Sequence, residues 1–409
     1  MLGKNKDLLK GLGWMGLSRG FVRVVGFLKI AIIAKSGILS PEEFGLFAIA
    51  ALAVAMLEIL TETGINVVLI QERGPIEKYL NTAWIVSIIR GAAISAFIFA
   101  SSPFIADFFR AEAAGDIIIL ISVVPLLRGF INPSIVKFRK DLEFNKEFFM
   151  RSSVFLLDAV VAVVVSFATG SAVGLVWGMI AGVILEVIIS FALVRPIPRL
   201  EFDRKKFGFI VKRGKWVTVA GLFNYAFHQG DDIVLGRLLG TGTLGIYQVI
   251  YKISILPIIE AGEVFGKVSF PLYSRLMGKK RELRTALVAS TVILTALVFP
   301  FGSVVFLYPE EIINFTVGPN WLSGAPALKV LAVFGVLRAV SGSASALFLA
   351  AKKQEFVATV TFVSFLGVGI TVVPLTASYG MVGTSFSALI GALAATPFII
   401  YYSYKIIAQ

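Results

Sequence analysis

The sequence predicts an all-α membrane protein of about twelve transmembrane helices, built as two six-helix bundles related by a parallel pseudo-twofold repeat. Three observations predict it. The 409-residue chain is 57 % hydrophobic and 15 % charged, with a mean hydropathy of +0.88; soluble domains are about 45–50 % apolar and about 25 % charged. It divides into twelve apolar stretches near the roughly 20 residues that cross a ~30 Å hydrocarbon core. The basic residues also fall in alternate loops. With the N-terminus inside, 27 of the 38 Lys and Arg lie on inner segments, eight lie within spans, and only Lys35, Arg110 and Arg237 lie outside. The positive-inside rule turns that asymmetry into an orientation, with both termini cytoplasmic.

Composition also excludes several classes. The net charge of +13 suits an anionic cytoplasmic leaflet, because the inner loops carry it; nucleic acid is not an expected partner. There is no Cys and one His, so disulfides, thiolate nucleophiles and Cys- or His-rich metal sites are ruled out, and neither a metal nor a cofactor is expected. Arg19, Arg23 and Lys29 interrupt the first apolar stretch, which argues against a cleavable signal peptide. Residues 11–16 spell GxGxxG, but they open a span with no preceding strand, so the dinucleotide reading lacks its context.

Taken in order, the first span covers 11–34. Arg19 and Arg23 are four residues apart and share one face. Two guanidiniums on one face suit a phosphate or diphosphate, whose oxygens accept bidentate bonds; the plain alternative is that Arg19 snorkels to the inner surface. The second span, 44–66, carries Glu58 and Glu62 near its inner end. Glu58 lies at a depth similar to Arg19, so a resting pair broken by an incoming anion is one expectation. The third span, 82–102, holds Arg90. The fourth, 117–136, holds Pro125 and Arg128, and the fifth, 149–168, holds Asp158. Arg128 and Asp158 are near mid-span, where ionisable groups are functional hypotheses by default. The sixth, 172–194, holds Glu186 and the Gly174, Gly178, Gly182 series expected at a close helix contact; Glu186 and Arg90 read more readily as structural pairs. The break at about 195–215 has two prolines and eight basic residues and reads as an inner linker. The domains are therefore 1–194, a basic cytoplasmic linker at 195–213, and 214–409.

The seventh span, 214–235, places Asn224, His228 and Asp231 on one stripe, with Asp232 adjacent. Such a stripe can line a polar cavity, bind a cation or relay a proton, or the two aspartates can simply end the helix beside Arg237. The eighth, 244–265, holds Lys252, Pro257, Glu260 and Glu263. The ninth is 285–308. The tenth, 324–350, holds Lys329 and, near mid-span, Arg338. The last two are 356–377, with Pro374, and 381–404. The halves look related: Trp14 and Trp216 are 202 positions apart, as are Lys35 and Arg237, and residues 44–47 (FGLF) match 244–247 (LGIY). An even number of spans per half makes such a repeat parallel. It sets Lys29 against Asp231 at equivalent depths, as an outer gate.

Four stretches carry a family resemblance: Leu39-Ser-Pro-Glu-Glu-Phe-Gly-Leu-Phe47; Thr63 to Gln71 (TGINVVLIQ); Asp231 to Gly240 (DDIVLGRLLG) with Leu244-Gly-Ile-Tyr247; and Phe270-Pro-Leu-Tyr-Ser-Arg275. The chain resembles the polysaccharide-biosynthesis branch of the multidrug/oligosaccharidyl-lipid/polysaccharide transporter superfamily. The resemblance implies a V-shaped pair of bundles around a central cavity. It also implies a flippase that moves polyprenyl-diphosphate-linked oligosaccharide across the cytoplasmic (inner) membrane by alternating access, for surface polysaccharide. The resemblance suits Arg19 and Arg23 to the substrate diphosphate; Arg128 and Arg338, near mid-span, and Asn224, on the stripe of the seventh span, are the further candidates for binding diphosphate or saccharide. Lys29, Glu58, Asp158, His228, Asp231 and Asp232 are the candidates to couple an ion, H+ or Na+, or to gate the path. A polysaccharide polymerase or glycosyltransferases are the expected protein partners. No catalytic residue is nominated and no P-loop is present. Two alternatives stay open: a cation-coupled multidrug exporter of the same superfamily, and a membrane glycan polymerase or transferase. The arginines argue against the first, and the lack of sizeable loops against the second.

Overall fold

A computed structural model describes residues 2–61, 69 and 77–408; side chains at 2–12, 209–220, 222–224, 226–228, 256, 257, 259, 260 and 267 lie outside the description. The first helix, α1, runs Leu2–Lys35. The next, α2, runs Pro41–Leu60, and its start explains the first of the four motifs. Ser40 caps it, accepting from the Glu43 N–H, Pro41 sits in the first turn, and Glu42 and Glu43 face the positive end of the helix dipole. The Glu43 carboxylate reaches further, accepting from the Ala172 N–H and, at 3.1 Å, from the Ser171 hydroxyl. The motif is thus a cap that also ties down a distant loop.

Helix α3, Glu77–Phe108, is the third span. The fourth is not the single rod that its apolar run suggests. It comprises α4 (Ala114–Ile121), α5 (Val123–Gly129), a 3-10 turn (Pro133–Val136) and α6 (Lys137–Lys140), with a bend of 71° between residues 114–129 and 133–140. Pro133 cannot donate to the preceding turn. Asn132 then starts a new one: its side chain accepts from the Ser134 N–H at 2.9 Å, while its own N–H donates to Ser190 Oγ at 3.0 Å. Helices α7 (Phe144–Thr169) and α8 (Val173–Leu193) follow. They pack closely because a Cβ at Gly178 would lie 2.6 Å from that of Ala162, the small-residue contact expected of the glycine series.

Two helices are too long for one crossing. Helix α9, Arg204–Leu276, has 73 residues and α13, Gln354–Ala408, has 55, or roughly 110 and 80 Å at 1.5 Å per residue. Each is broken by a glycine in the left-handed region, Gly240 (φ +82°) and Gly380 (φ +60°), where other residues are strained. The arms of α13 close on each other through Thr376–Thr384 and Thr371–Ser387 hydroxyl pairs, both 2.8 Å. Between α9 and α13 stand α10 (Lys280–Leu307), α11 (Pro309–Thr316) and α12 (Ala325–Ala350). Counted arm by arm, the described helices follow the twelve predicted spans, the second of them as far as Leu60. Among the described residues, eight helices are individually long and apolar enough to cross a membrane, or nine with the bent fourth span.

Residues 1–229 and 230–409 form two compact units. In the first, the segment after α8 is stitched to the start of α3 and to the 3-10 turn. The Arg199 N–H donates to Asn81 Oδ1 (2.9 Å), Asn81 Nδ2 to Glu201 (2.9 Å), the Asp203 N–H to Thr82 Oγ1 (3.2 Å), and the Ser134 hydroxyl to the Pro196 carbonyl (2.8 Å).

Candidate functional site

The first unit encloses a charged cavity of about 430 Å³, within the range of small-molecule sites. Its walls come from six helices and the 3-10 turn. Helix α3 presents Ser87, Arg90, Gly91 and Ile94, positions i, i+3, i+4 and i+7, which share one face. Helix α2 contributes Glu58; α5 contributes Arg128; α6 contributes Arg139; α7 contributes Glu147 and Arg151; and α8 contributes Glu186. Glycines let the walls meet. A Cβ at Gly129 would stand 2.8 Å from the Ser87 carbonyl oxygen and 3.0 Å from Ile88 Cα, and one at Gly91 would overlap the Pro125 carbonyl. The backbones of α3 and α5 therefore touch here, which brings Arg90 and Arg128 to one wall.

Four guanidiniums face three carboxylates. Arg128 Nη1 donates to both oxygens of Glu58, at 2.7 and 2.6 Å. Arg90 Nη2 donates to the backbone carbonyl of the same Glu58, and its Nε to Thr61 Oγ1 at 3.1 Å. Glu58 lies in the last turn of α2, where free carbonyls and the negative end of the dipole favour cations. At the rim, Glu147 Oε1 accepts from Arg139 (2.7 and 2.9 Å) and from Arg151 (2.9 Å). Glu186 lines the same space in the field of Arg128 and Arg151. The Arg128–Glu58 side chains retain 39 % and 25 % of their exposure, so an anion entering the cavity can reach both.

A second group lies elsewhere in the same unit. Lys29 Nζ stands 2.7 Å from Asp158 Oδ2, with both side chains largely shielded (15 % and 13 %). The other oxygen, Asp158 Oδ1, is buried without a hydrogen-bond partner among the described residues. A third group lies in the second unit. Asp231 Oδ2 accepts from the Tyr247 hydroxyl at 3.0 Å, Asp232 Oδ2 accepts from Gln248 at 3.2 Å, and Arg338 Nη1 donates to the Tyr251 hydroxyl at 3.3 Å. Both aspartate contacts span 16 residues across the break at Gly240. The motif of residues 231–240 and 244–247 is thus a folded hairpin whose two ends bind each other.

Of the residues nominated from sequence, Arg128 and Glu58 meet in the cavity. Lys29 meets Asp158, and Asp231, Asp232 and Arg338 neighbour the tyrosine pair. Arg19 and Arg23 share an exposed face of α1, and the cavity takes its arginines from other helices. The side chains of Asn224 and His228, Glu62, and the motif of residues 63–71 apart from the buried Leu69 lie outside the described residues. Sequence reasoning missed the rim of Arg139, Glu147 and Arg151. The i,i+4 spacing of Glu147 and Arg151 was its available signal.

The fold is shared with solved multi-pass membrane transporters. The solved lipid II flippase MurJ, in an inward closed conformation, superposes with a TM-score of 0.77 at 13 % identity, covering 96 % of this chain and 88 % of that one. An inward-facing multidrug resistance transporter of the MATE family gives 0.70 at 16 % identity, covering 95 % of each. The family described as polysaccharide biosynthesis protein matches residues 36–326, and the chain belongs to that family. It is 24 % identical over 364 residues to the teichuronic acid biosynthesis protein TuaB of Bacillus subtilis (strain 168), covering 86 % of this chain and 72 % of that one. It is 22 % identical over 349 residues to the lipopolysaccharide biosynthesis protein WzxC of Escherichia coli (strain K12), covering 85 % and 70 %.

Proposed function

We propose that the chain is a flippase that carries polyprenyl-diphosphate-linked oligosaccharide across the cytoplasmic membrane for surface polysaccharide. The observation that carries this reading is the cavity in the first unit, where Arg90 and Arg128 converge on Glu58 inside membrane-crossing helices. Guanidiniums bind phosphate oxygens bidentately, and a diphosphate is the substrate group with the charge to displace a carboxylate from Arg128. A cationic drug would meet four arginines, which disfavours the exporter reading.

In this scheme the diphosphate replaces Glu58 on Arg128, while Arg19, Arg23, Arg338 and Asn224 contact diphosphate or saccharide along the rest of the path. Six-helix halves at 1–194 and 214–409, related by the pseudo-twofold and joined by the basic segment, rock between access states. Lys29 and Asp158 in one half, and His228, Asp231 and Asp232 in the other, couple H+ or Na+ or gate the path. Both termini lie in the cytoplasm, and a polymerase or glycosyltransferases act on either side of the step. The test is cellular. Deleting the gene should trap lipid-linked oligosaccharide on the inner face and remove surface glycan, and the wild-type gene should restore both while Arg128→Gln should not. Unchanged glycan lipids after deletion would refute the proposal.

A further inference from the structure

Arg90 lines two different spaces. On one side is the charged cavity, reached by the stripe of Ser87, Arg90, Gly91 and Ile94. On the other is an apolar groove of about 340 Å³, reached by the adjacent stripe of Val86, Ile89, Arg90 and Ala93 and closed by Thr61, Phe202 and Phe207. The two stripes are offset by one residue, so Arg90 stands on the ridge between them. The groove is built rather than incidental. The backbone N–H groups of Arg199 and Asp203 donate to Asn81 and Thr82, and the Phe202 and Phe207 rings stand 5.6 Å apart along the apolar stripe. Ile89 and Phe202 remain more than half exposed, so the groove is open along one side.

We infer that this groove holds the proximal isoprene units of a polyprenyl diphosphate, with Arg90 at the junction and the diphosphate in the charged cavity. The inference rests on the flippase reading and adds to it the place where the lipid carrier is recognised. Charge and shape select the occupant. The head must be a compact polyanion, because it displaces a carboxylate from Arg128. The tail must start directly at that head, because groove and cavity share a single side chain as their wall. A glycerophospholipid separates two tails from its phosphate by a glycerol and fits neither condition. The exposed basic residues Arg204 and Lys205, at the start of α9, favour arrival of an anionic head at this edge.

The test uses the full chain in detergent micelles with four probes: geranylgeranyl diphosphate, geranylgeraniol, inorganic diphosphate and phosphatidylglycerol. The wild type should bind geranylgeranyl diphosphate at least about tenfold more tightly than inorganic diphosphate, and phosphatidylglycerol should not compete. Ala93→Trp, which fills the groove, should erase that tenfold advantage and leave inorganic diphosphate binding unchanged. Phe202→Asp, which adds no bulk to the helix, should do the same. Retained binding of inorganic diphosphate shows that each variant is folded. If both variants bind geranylgeranyl diphosphate like the wild type, or if phosphatidylglycerol competes equally, the groove assignment is wrong. The flippase reading is judged separately, by whether the wild-type gene restores lipid-linked oligosaccharide on the outer face. Restoration together with unaltered binding in both variants would discard the groove and keep the flippase.

Discussion

Replacing Glu58 by glutamine should loosen the empty protein and tighten its grip on diphosphate, by comparable free energies. Glutamine keeps the shape and one acceptor for Arg128 but removes the charge. Exposed ion pairs contribute about 0.2–1 kcal/mol, and breaking a buried one costs about 3–5 kcal/mol. With the two side chains 39 % and 25 % exposed, the pair belongs between those limits, at about 1–2 kcal/mol after screening. The empty variant carries that cost as an uncompensated Arg128, and melting should fall by roughly 2–8 °C on the scaling of about 2–4 °C per kcal/mol for a unit of this size. When diphosphate enters the wild type, Arg128 must first give up Glu58; in the variant it gives up only a neutral acceptor. The same 1–2 kcal/mol then reappears as roughly 5- to 30-fold tighter binding. Titration calorimetry with inorganic diphosphate and thermal melting of the detergent-solubilised protein read the two halves. Arg128→Gln should lose both stability and affinity. Weaker or unchanged diphosphate binding in Glu58→Gln would refute the displacement reasoning.

Three further outcomes are expected. Gly129→Ala forces a Cβ against the Ser87 carbonyl of α3 and should destabilise by about 1–3 kcal/mol, whereas Gly342→Ala, with nothing within 4 Å, should be neutral or better; comparing their melting temperatures checks the backbone contact. Tyr247→Phe removes the buried donor to Asp231 and should cost about 1–3 kcal/mol, and a double-mutant cycle with Asp231→Asn should show coupling, its absence meaning that the hairpin bond contributes nothing. The Lys206 and Lys205 N–H groups hold the Asp203 carboxyl below the usual aspartate range. This cap of α9 should therefore be fully present above about pH 4 and lost as the pH falls through the lowered value; amide exchange at Lys205 and Lys206, corrected for intrinsic rates, should rise there in the wild type, and Asp203→Asn should remove the pH dependence.

The sequence made the spans legible because the boundary between lipid and water is written directly into composition and charge. It did so even for α9 and α13, where glycines in the left-handed region divide what is otherwise continuous helix. The bend in the fourth span was harder to see, because the apolar run continues through Ile131 to Val136 and only Asn132-Pro133 marks the change of direction. Site residues were legible as types and depths but not as partners. Hydropathy places Glu58 at the depth of Arg19, yet gives no azimuth, and the close approach of α3 and α5 at Gly91 and Gly129 brings Arg128 to it. Arg139 and Arg151 look like ordinary inner-loop charges until the short α6 and the first turns of α7 bring both to Glu147 at the cavity rim. Arg90 reads as a single charge in a span; its position between two stripes appears only when the segment after α8 lays Phe202 and Phe207 over one of them.

The most direct measurement of the central claim is translocation by the purified chain. Proteoliposomes would be loaded with a fluorescent polyprenyl-diphosphate oligosaccharide, and its exposure to an impermeant glycosidase would be followed over time. The wild type should convert a protected fraction that protein-free vesicles retain, and Arg128→Gln should slow that conversion by about tenfold or more. Wild-type vesicles that protect the lipid as well as protein-free ones, or an Arg128→Gln variant that is as fast as the wild type, would contradict the account.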